Sequence, residues 1–231
     1  MIIRKYYAVV SNILNPVEDL YLIEFDTFEE CIKYKPGQFL HLSIDKDYTG
    51  IDQWPESRCF SIFPSENPGN ISIVYSVKGN YTMKMRDSLK IGSYVWIKLP
   101  YGNLFSDVQN KQDCVFIAGG TGVSPFMSLF YHTTFYTYLN PTIYLGLKSS
   151  KYDIYSSIIK NAFEKNKIPL ENYLLYHEDN EGLLNIDEIF AKHGQNKDYF
   201  ISGPPEMILK FVSLLRNNGV NDKNIHFDKW D

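Results

Sequence analysis

The chain has 231 residues, of which 44% are hydrophobic and 22% charged, and its formal net charge is −4. These proportions are typical of an ordinary globular protein and exclude a disordered or fibrous chain. The mild negative charge gives no electrostatic reason to expect nucleic acid or an anionic membrane as a partner.

The three cysteines, Cys31, Cys59 and Cys114, lie far apart in the sequence. Such a set forms neither a disulfide framework nor a zinc-binding CxxC pair, and it cannot supply the four thiolates of a two-iron cluster. The N-terminal residues lack the charged and apolar regions of a signal peptide. We therefore expect a reduced, cytoplasmic protein without a metal site.

The first hundred residues are rich in short β-branched and aromatic runs that are separated by turn residues. One short helix is expected near Thr82–Leu89. Six strands at this spacing favour a closed antiparallel barrel, because closure removes the sheet edges. The predicted strands are Tyr6–Val10, Leu20–Phe25, Phe39–Ile44, Arg58–Phe63, Ile71–Val77 and Tyr94–Leu99.

From Asp113 onward, apolar strands alternate with helix-length segments, which predicts a parallel five-stranded sheet covered on both faces. The predicted strands are Cys114–Ala118, Thr142–Leu147, Tyr173–Tyr176, Tyr199–Ser202 and Ile225–Phe227. The predicted helices are Pro125–Tyr138, Ile154–Lys165, Ile186–His193 and Pro205–Asn218. The polar segment Phe105–Gln112 separates the halves, so we expect two domains, 1–104 and 105–231.

The segment from Cys114 to Leu147 contains no charged residue and is long enough to cross a bilayer. Glycines, prolines and paired threonines interrupt it, whereas a membrane span is uniformly apolar over about 20 residues. We interpret this segment as a buried strand, loop, helix, turn and strand, and we expect no membrane span.

A glycine-rich loop, Gly119-Gly120-Thr121-Gly122, follows the first strand of the second half. Ser124 is a suitable N-cap and Pro125 a suitable first helical residue, so a helix N-terminus next to the loop would favour anions. The loop is neither a Rossmann fingerprint nor a P-loop, and no acidic residue follows about twenty positions later to bind a ribose. A pyrophosphate site and a tight strand–helix turn both fit this pattern.

Four motifs occur in order along the two halves of the chain. The first half contains Arg58-Cys59-Phe60-Ser61, preceded by Lys35-Pro36-Gly37-Gln38-Phe39, and then Val77-Lys78-Gly79-Asn80-Tyr81-Thr82. The second half contains Ala118-Gly119-Gly120-Thr121-Gly122-Val123-Ser124-Pro125 and Ser202-Gly203-Pro204-Pro205-Glu206-Met207. With these motifs the chain resembles the ferredoxin–NADP reductase superfamily over nearly its whole length, without a fused iron–sulfur domain.

The resemblance implies that the barrel binds FAD. Arg58 would bind the pyrophosphate, Phe60 would stack on the isoalloxazine where the family usually has tyrosine, and Ser61 would hydrogen-bond flavin N5. Strict alternation places Arg58 and Phe60 on one strand face and Ser61 on the other. From the residues alone, Arg58 also fits a surface charge and Phe60 a core aromatic. The other implied flavin-binding residues are Cys59, Ser76, Val77, Lys78, Gly79 and Thr82.

The resemblance also implies that the second domain binds NADH or NADPH. Ser202 stands where the family has a cysteine near the nicotinamide, and Trp230 would cover the flavin ring, so both join Ser61 as candidate catalytic residues. Ser202 also fits a simple strand-end serine, and Trp230 an aromatic that anchors a strand. The implied nucleotide-binding residues are Gly120, Thr121, Gly122, Ser124, Pro125, Lys148, Gly203, Pro204, Pro205 and Met207.

The segment after Thr142–Leu147, the second predicted strand of the second half, bears on the choice of coenzyme. Lys148 and Lys151 lie there and could meet a 2′-phosphate, but the arginine of strict NADPH enzymes is absent. The sequence therefore slightly favours NADH.

The resemblance implies a flavoprotein that accepts hydride from NAD(P)H on FAD and passes electrons to a separate acceptor, such as a ferredoxin, flavodoxin or oxygenase component. Two alternatives stay open at this point: a reductase of diffusible flavin, and a subunit that holds flavin within a larger electron-transfer complex. The scattered histidines and the lack of a Gly-x-Ser-x-Gly elbow give no support to metal or serine-hydrolase chemistry.

Overall fold

The computed structural model describes residues 2–106 and 111–228 of the chain. Backbone contacts divide the protein into one unit that ends at Gly102 and a second that begins at Asn103. This division falls two residues before the boundary expected from the sequence. The two units are described separately.

The first unit is a six-stranded antiparallel barrel, as predicted. Its strands are β1 (Arg4–Val17), β2 (Leu20–Asp26), β3 (Phe39–Ser43), β4 (Arg58–Ser61), β5 (Asn70–Ser76) and β6 (Tyr94–Tyr101). They hydrogen-bond in the order β4-β3-β6-β1-β2-β5. An antiparallel bridge between Phe63 and Ser72 links the two edges, so the barrel is nearly closed.

The barrel core follows from period-2 alternation along the strands. In β5, for example, Ile71, Ile73 and Tyr75 are buried in the same core cluster. The helix α1 (Asn80–Ser88) adds Tyr81 and Met85 to this cluster. The helix thus packs against the barrel core. It begins within the second motif, at Asn80, two residues earlier than predicted.

The second unit is a parallel five-stranded sheet with helices, also as predicted. Its strands are β7 (Val115–Gly119), β8 (Thr142–Leu147), β9 (Tyr173–His177), β10 (Tyr199–Ser202) and β11 (Ile225–His226). Its helices are α2 (Ser124–Tyr131), α3 (Ser156–Lys165), α4 (Ile186–His193) and α5 (Pro205–Asn217). The strand order β11-β10-β7-β8-β9 places the first strand of the unit in the centre, between β10 and β8.

The helix after the glycine-rich loop is shorter than predicted. α2 ends at Tyr131, and a separate 3-10 turn covers Thr133–Thr137, so the single helix predicted over Pro125–Tyr138 is wrong. His132 between them is extended, and its side chain accepts a hydrogen bond from the backbone N–H of Thr134. This local cap competes with continuation of the helix, and β-branched threonines further disfavour it.

Across residues 2–106 and 111–228, no helix has both the length and the apolar character that a bilayer crossing requires.

Candidate functional site

The pairing of β3 with β4 determines which residues of the first motif share a face. Phe60 is paired with Leu40 and Arg58 with Leu42, and both leucines are fully buried. Ser61 is paired with Phe39 on the opposite face. Because directly opposed residues of paired strands share a face, Arg58 and Phe60 lie on the core-facing side and Ser61 on the outer side, as the alternation predicts.

Three contacts hold the half-exposed Arg58 side chain. Its Nη1 donates to the Ser57 carbonyl oxygen at 2.7 Å, and its Nη2 lies 3.2 Å from Glu56 Oε1. Its guanidinium also stacks over the Tyr81 ring, at 4.9 Å from the ring centroid. Tyr81 is fixed in turn, because its hydroxyl donates to the Leu42 carbonyl at 2.6 Å. Arg58 is therefore held beside the first turn of α1.

The N-terminus of α1 is shaped by Thr82. Its Oγ1 accepts hydrogen bonds from the backbone N–H groups of Lys78 and Gly79, at 3.0 and 3.2 Å. The N-cap residue, Gly79, has no side chain to cap the first-turn N–H groups of α1, and the space beside it is open to 4 Å. Thr82 thus orders the loop, while the helix N-terminus retains its partial positive charge for an anion.

Two charged residues beside Arg58, Glu56 and Lys84, lie outside the motifs found in the sequence. Lys84 Nζ lies 3.7 Å from Glu56 Oε2, so one carboxylate contacts both Lys84 and Arg58. Lys84 lies one turn from the start of α1, and that spacing could have indicated it. Two cations and a helix N-terminus form a donor set that fits a diphosphate.

The remaining residues of the barrel motifs have mixed surroundings. Phe60 is partly buried and meets Tyr75 edge-on, with ring centroids 6.0 Å apart. Tyr75 is 3% exposed; its hydroxyl has no partner among the described residues, and burial raises its pKa. Phe60 therefore contributes to the core. Ser76 ends β5, and the following Val77 donates its N–H to the Asp19 carbonyl at 2.8 Å.

Cys59 lies on the outer face of β4, beside a histidine. Its Sγ is 3.5 Å from His41 Nε2. Burial raises the pKa of Cys59, and burial together with the Lys98 charge lowers the pKa of His41. At neutral pH the pair is therefore a thiol and an uncharged imidazole.

In the second unit, the two glycine motifs pack against each other where β7 and β10 end. A Cβ on Gly122 would lie 2.4 Å from Gly203 Cα, and a Cβ on Gly119 would lie 2.9 Å from Met207 Sδ and 3.1 Å from Pro204 Cδ. Gly120 has φ +56° and open space beside it. Parallel sheets bind ligands at this carboxyl edge, next to the strand where the order reverses.

Ser124 does not have the capping role expected of it. It has helical angles (φ −53°, ψ −44°) and its hydroxyl donates to the Thr121 carbonyl at 2.8 Å. A 3-10 turn over Gly120–Val123 runs directly into α2, so the helical segment begins earlier than predicted, and the extended residue before it is Gly119. Pro125 lies in the first turn of α2, as predicted. Any anion would therefore meet main-chain N–H groups of the glycine turn.

The candidate residues after β10 also lie at this edge. Ser202 is the last residue of β10, 5% exposed, and paired with Ala118 of β7. Gly203 has φ +158°, and Pro205 is the first residue of α5, where a missing N–H costs nothing. The structure thus brings Ser202 and the Gly203–Met207 segment beside the glycine turn.

Lys148 follows β8, and its Nζ lies 5.9 Å from the centroid of the Tyr152 ring. The backbone N–H of Glu178 donates to the Leu147 carbonyl at 2.8 Å, and that of Asp179 to the Lys148 carbonyl at 3.3 Å. Glu178 and Asp179, the first two residues after β9, are therefore held beside the loop that follows β8. Sequence spacing gave no signal for them.

The last residues of the chain are described only as far as Asp228. Burial raises the pKa of this carboxyl to about 6, and its Oδ2 has no partner among the described residues. Trp230 lies outside the described residues. Within residues 2–106 and 111–228, no group of three His, Cys, Asp or Glu side chains is arranged to hold a metal ion.

Comparisons with known proteins agree with this architecture. No family model matches the chain. It is 32% identical over 195 residues to a probable dihydroorotate dehydrogenase B (NAD(+)) electron transfer subunit of Pyrococcus horikoshii, covering 81% of this chain and 66% of that one. It is 23% identical over 245 residues to a subunit of the 1,2-phenylacetyl-CoA epoxidase of Escherichia coli, covering 96% and 67%. The chain thus spans about two thirds of each of these curated relatives.

Solved structures show the same fold. The flavohem-like FAD/NAD-binding domain of nitric oxide dioxygenase from Vibrio cholerae superimposes with a TM-score of 0.71 at 16% identity, covering 96% of this chain and 97% of that one. The barrel, the five-stranded sheet and the relatives agree with the resemblance found in the sequence. The chain belongs to the ferredoxin reductase-type proteins of the ferredoxin–NADP reductase superfamily.

Proposed function

We propose that this chain is an NAD(P)H-dependent flavoprotein reductase that binds FAD in its first unit and the nicotinamide coenzyme in its second. Electrons then pass to a separate acceptor protein, such as a ferredoxin, a flavodoxin or an oxygenase component. The observation that carries the proposal is the packing of Gly119 and Gly122 against the Gly203–Met207 segment where β7 and β10 end. This packing fixes the turn in which Gly120 has open space beside it, so that a ligand's phosphates can approach the backbone closely there.

The residues of the first unit fit the FAD diphosphate. Arg58 offers planar, paired donors, Lys84 adds a second positive charge, and the uncapped N-terminus of α1 adds main-chain N–H groups. Ser61 supplies a hydroxyl on the outer face of β4. These groups bind and orient the cofactor.

The residues of the second unit fit a dinucleotide diphosphate through the main chain. The extended Gly119 and the glycine turn after it present backbone N–H groups, and Gly119 has no side chain to cap the turn. Ser202 is buried beside the turn, so it places one small hydroxyl where water is largely excluded.

FAD supplies the redox chemistry in such an enzyme, accepting a hydride and releasing electrons singly. The protein holds the reacting groups close together in the right orientation and excludes water. The Cys59 thiol and the His41 imidazole are both neutral at pH 7, so this pair adds no net charge beside Arg58 and Ser61.

The proposed hydride donor is NADH. The 2′-phosphate of NADPH carries a double negative charge, and Glu178 and Asp179 border the loop that contains Lys148. Their carboxylates oppose the attraction of the lysine for a phosphate, whereas the ribose hydroxyls of NADH can donate hydrogen bonds to an acid.

The visible spectrum of the purified protein tests the proposal. Yellow absorption that bleaches on anaerobic addition of NADH is the expected result, with NADPH slower. A colourless protein that binds neither FAD nor FMN when they are added would contradict the flavin assignment.

A second candidate is an electron-transfer subunit that holds flavin within a larger complex. The 32% identity to a probable dihydroorotate dehydrogenase electron transfer subunit favours it. In that case the isolated chain would be yellow, but neither nucleotide would bleach it.

A further inference from the structure

One carboxylate holds both cations of the candidate diphosphate site. Glu56 lies in the loop before β4 and contacts Arg58 through Oε1 at 3.2 Å and Lys84 through Oε2 at 3.7 Å. The two cations belong to different elements, β4 and α1. Glu56 therefore occupies the position from which an anion reaches both of them.

Arg58 does not depend on Glu56 for its orientation. Its Nη1 bond to the Ser57 carbonyl and its stacking on Tyr81 hold the guanidinium from two other sides. Glu56 is 57% exposed and Lys84 is 65% exposed, so their ion pairs are screened by water. Exposed ion pairs of this kind are weak and easily exchanged for a stronger anion.

We propose that Glu56 is an internal competitor of the flavin diphosphate and sets a low affinity for FAD. The carboxylate and the diphosphate require the same donors on Arg58 and Lys84, and their like charges repel each other. The consequence is that FAD exchanges readily with the solution. This inference rests on the proposed function, because it concerns the same flavin site.

The test is a fluorescence titration of the full chain, freed of flavin, with FAD and with riboflavin, which has no phosphate. Glu56→Gln keeps the size of the side chain and removes its charge. We expect the variant to bind FAD about threefold to tenfold more tightly than the wild type, as loss of an exposed charge contact allows. Riboflavin affinity should be unchanged.

A matched control and an opposing variant sharpen the test. Glu66→Gln removes an exposed carboxylate in the segment that connects β4 to β5, beyond the end of β4 opposite Glu56, and it should leave FAD affinity unchanged. Lys84→Gln should weaken FAD binding. The gain of Glu56→Gln should also shrink as salt is raised, because it is electrostatic.

The outcomes separate the two proposals. Unchanged or weaker FAD binding by Glu56→Gln, with FAD bound by the wild type, would overturn the competitor role and leave the flavoprotein assignment standing. An equal gain for riboflavin would also overturn it, because the effect would not involve the diphosphate. If neither the wild type nor Glu56→Gln binds any flavin, both the competitor role and the flavoprotein assignment are overturned.

Discussion

The two candidate anion sites of this chain use different kinds of hydrogen-bond donor. In the first unit the donors are charged side chains, Arg58 and Lys84, beside a helix N-terminus. In the second unit they are main-chain N–H groups of the turn after β7, and the residues that shape it are glycines without side chains. The first site attracts an anion through charge, whereas the second accepts one through shape.

This difference has consequences for how each site responds to change. At 0.1 M salt the attraction between exposed charges is screened over a length of about 10 Å. Added salt should therefore weaken anion binding at the first site more than at the second. Steric change should do the reverse, because a close-packed backbone cannot move aside as a flexible side chain does. The predictions below test these contrasts.

The largest expected effect is that of Gly122→Ala. The added methyl would lie 2.4–2.7 Å from backbone atoms of Ser202 and Gly203, so the loops must separate. We expect a loss of ~2 kcal/mol in the free energy of unfolding and a loss of nucleotide binding, measured by thermal denaturation and titration. Gly79→Ala is the control for stability, because nothing lies within 4 Å of its Cβ. Equal melting temperatures for the two variants would refute the packing argument.

The next effect is that of Arg58→Gln on flavin affinity. Removal of a charge-assisted donor should weaken FAD binding by about tenfold to a hundredfold. The salt dependence of FAD binding should also become shallower, since fewer charges are involved. Titrations of FAD at low and high salt measure both. Unchanged affinity would remove Arg58 from the site.

A smaller effect is expected on coenzyme preference. The double variant Glu178→Gln and Asp179→Asn removes two negative charges from the loop beside Lys148, so NADPH affinity should rise about threefold to tenfold relative to NADH. Glu171→Gln is the control, because Glu171 precedes β9 and so lies at the opposite end of this strand from Glu178 and Asp179. Competition by 2′,5′-ADP against 5′-ADP provides the measurement. A parallel shift for both ligands would argue against a role in selection.

The smallest effect concerns Asp228 and pH. Burial raises its pKa to about 6, above the unfolded value, so the contribution of this group to stability is present at low pH and lost as pH rises through about 6. Asp228→Asn should therefore raise the melting temperature at pH 8 by about 1–3 °C and have little effect at pH 4. A gain of the same size at both values would show that titration is not involved.

Much of this fold could be predicted from local patterns. Strands such as Thr142–Leu147 and Tyr199–Ser202 and the helix Ile186–His193 have the bounds expected from the sequence, because their apolar runs and turn signals agree with their tertiary surroundings. The helix after the glycine loop was wrong at both ends. A 3-10 turn and a histidine cap involve specific hydrogen bonds that hydrophobic periodicity does not encode.

The sequence by itself determined the two-unit architecture, because periodicity is a local property of the chain, and it indicated the family through the resemblance of its four motifs. Only the tertiary structure decided which distant residues share a site. Glu56 and Lys84 meet at Arg58, and Glu178 and Asp179 reach the loop after β8, because strand pairing and helix packing bring together segments that are far apart in sequence. Such encounters depend on the path of the whole chain, and no local pattern records them.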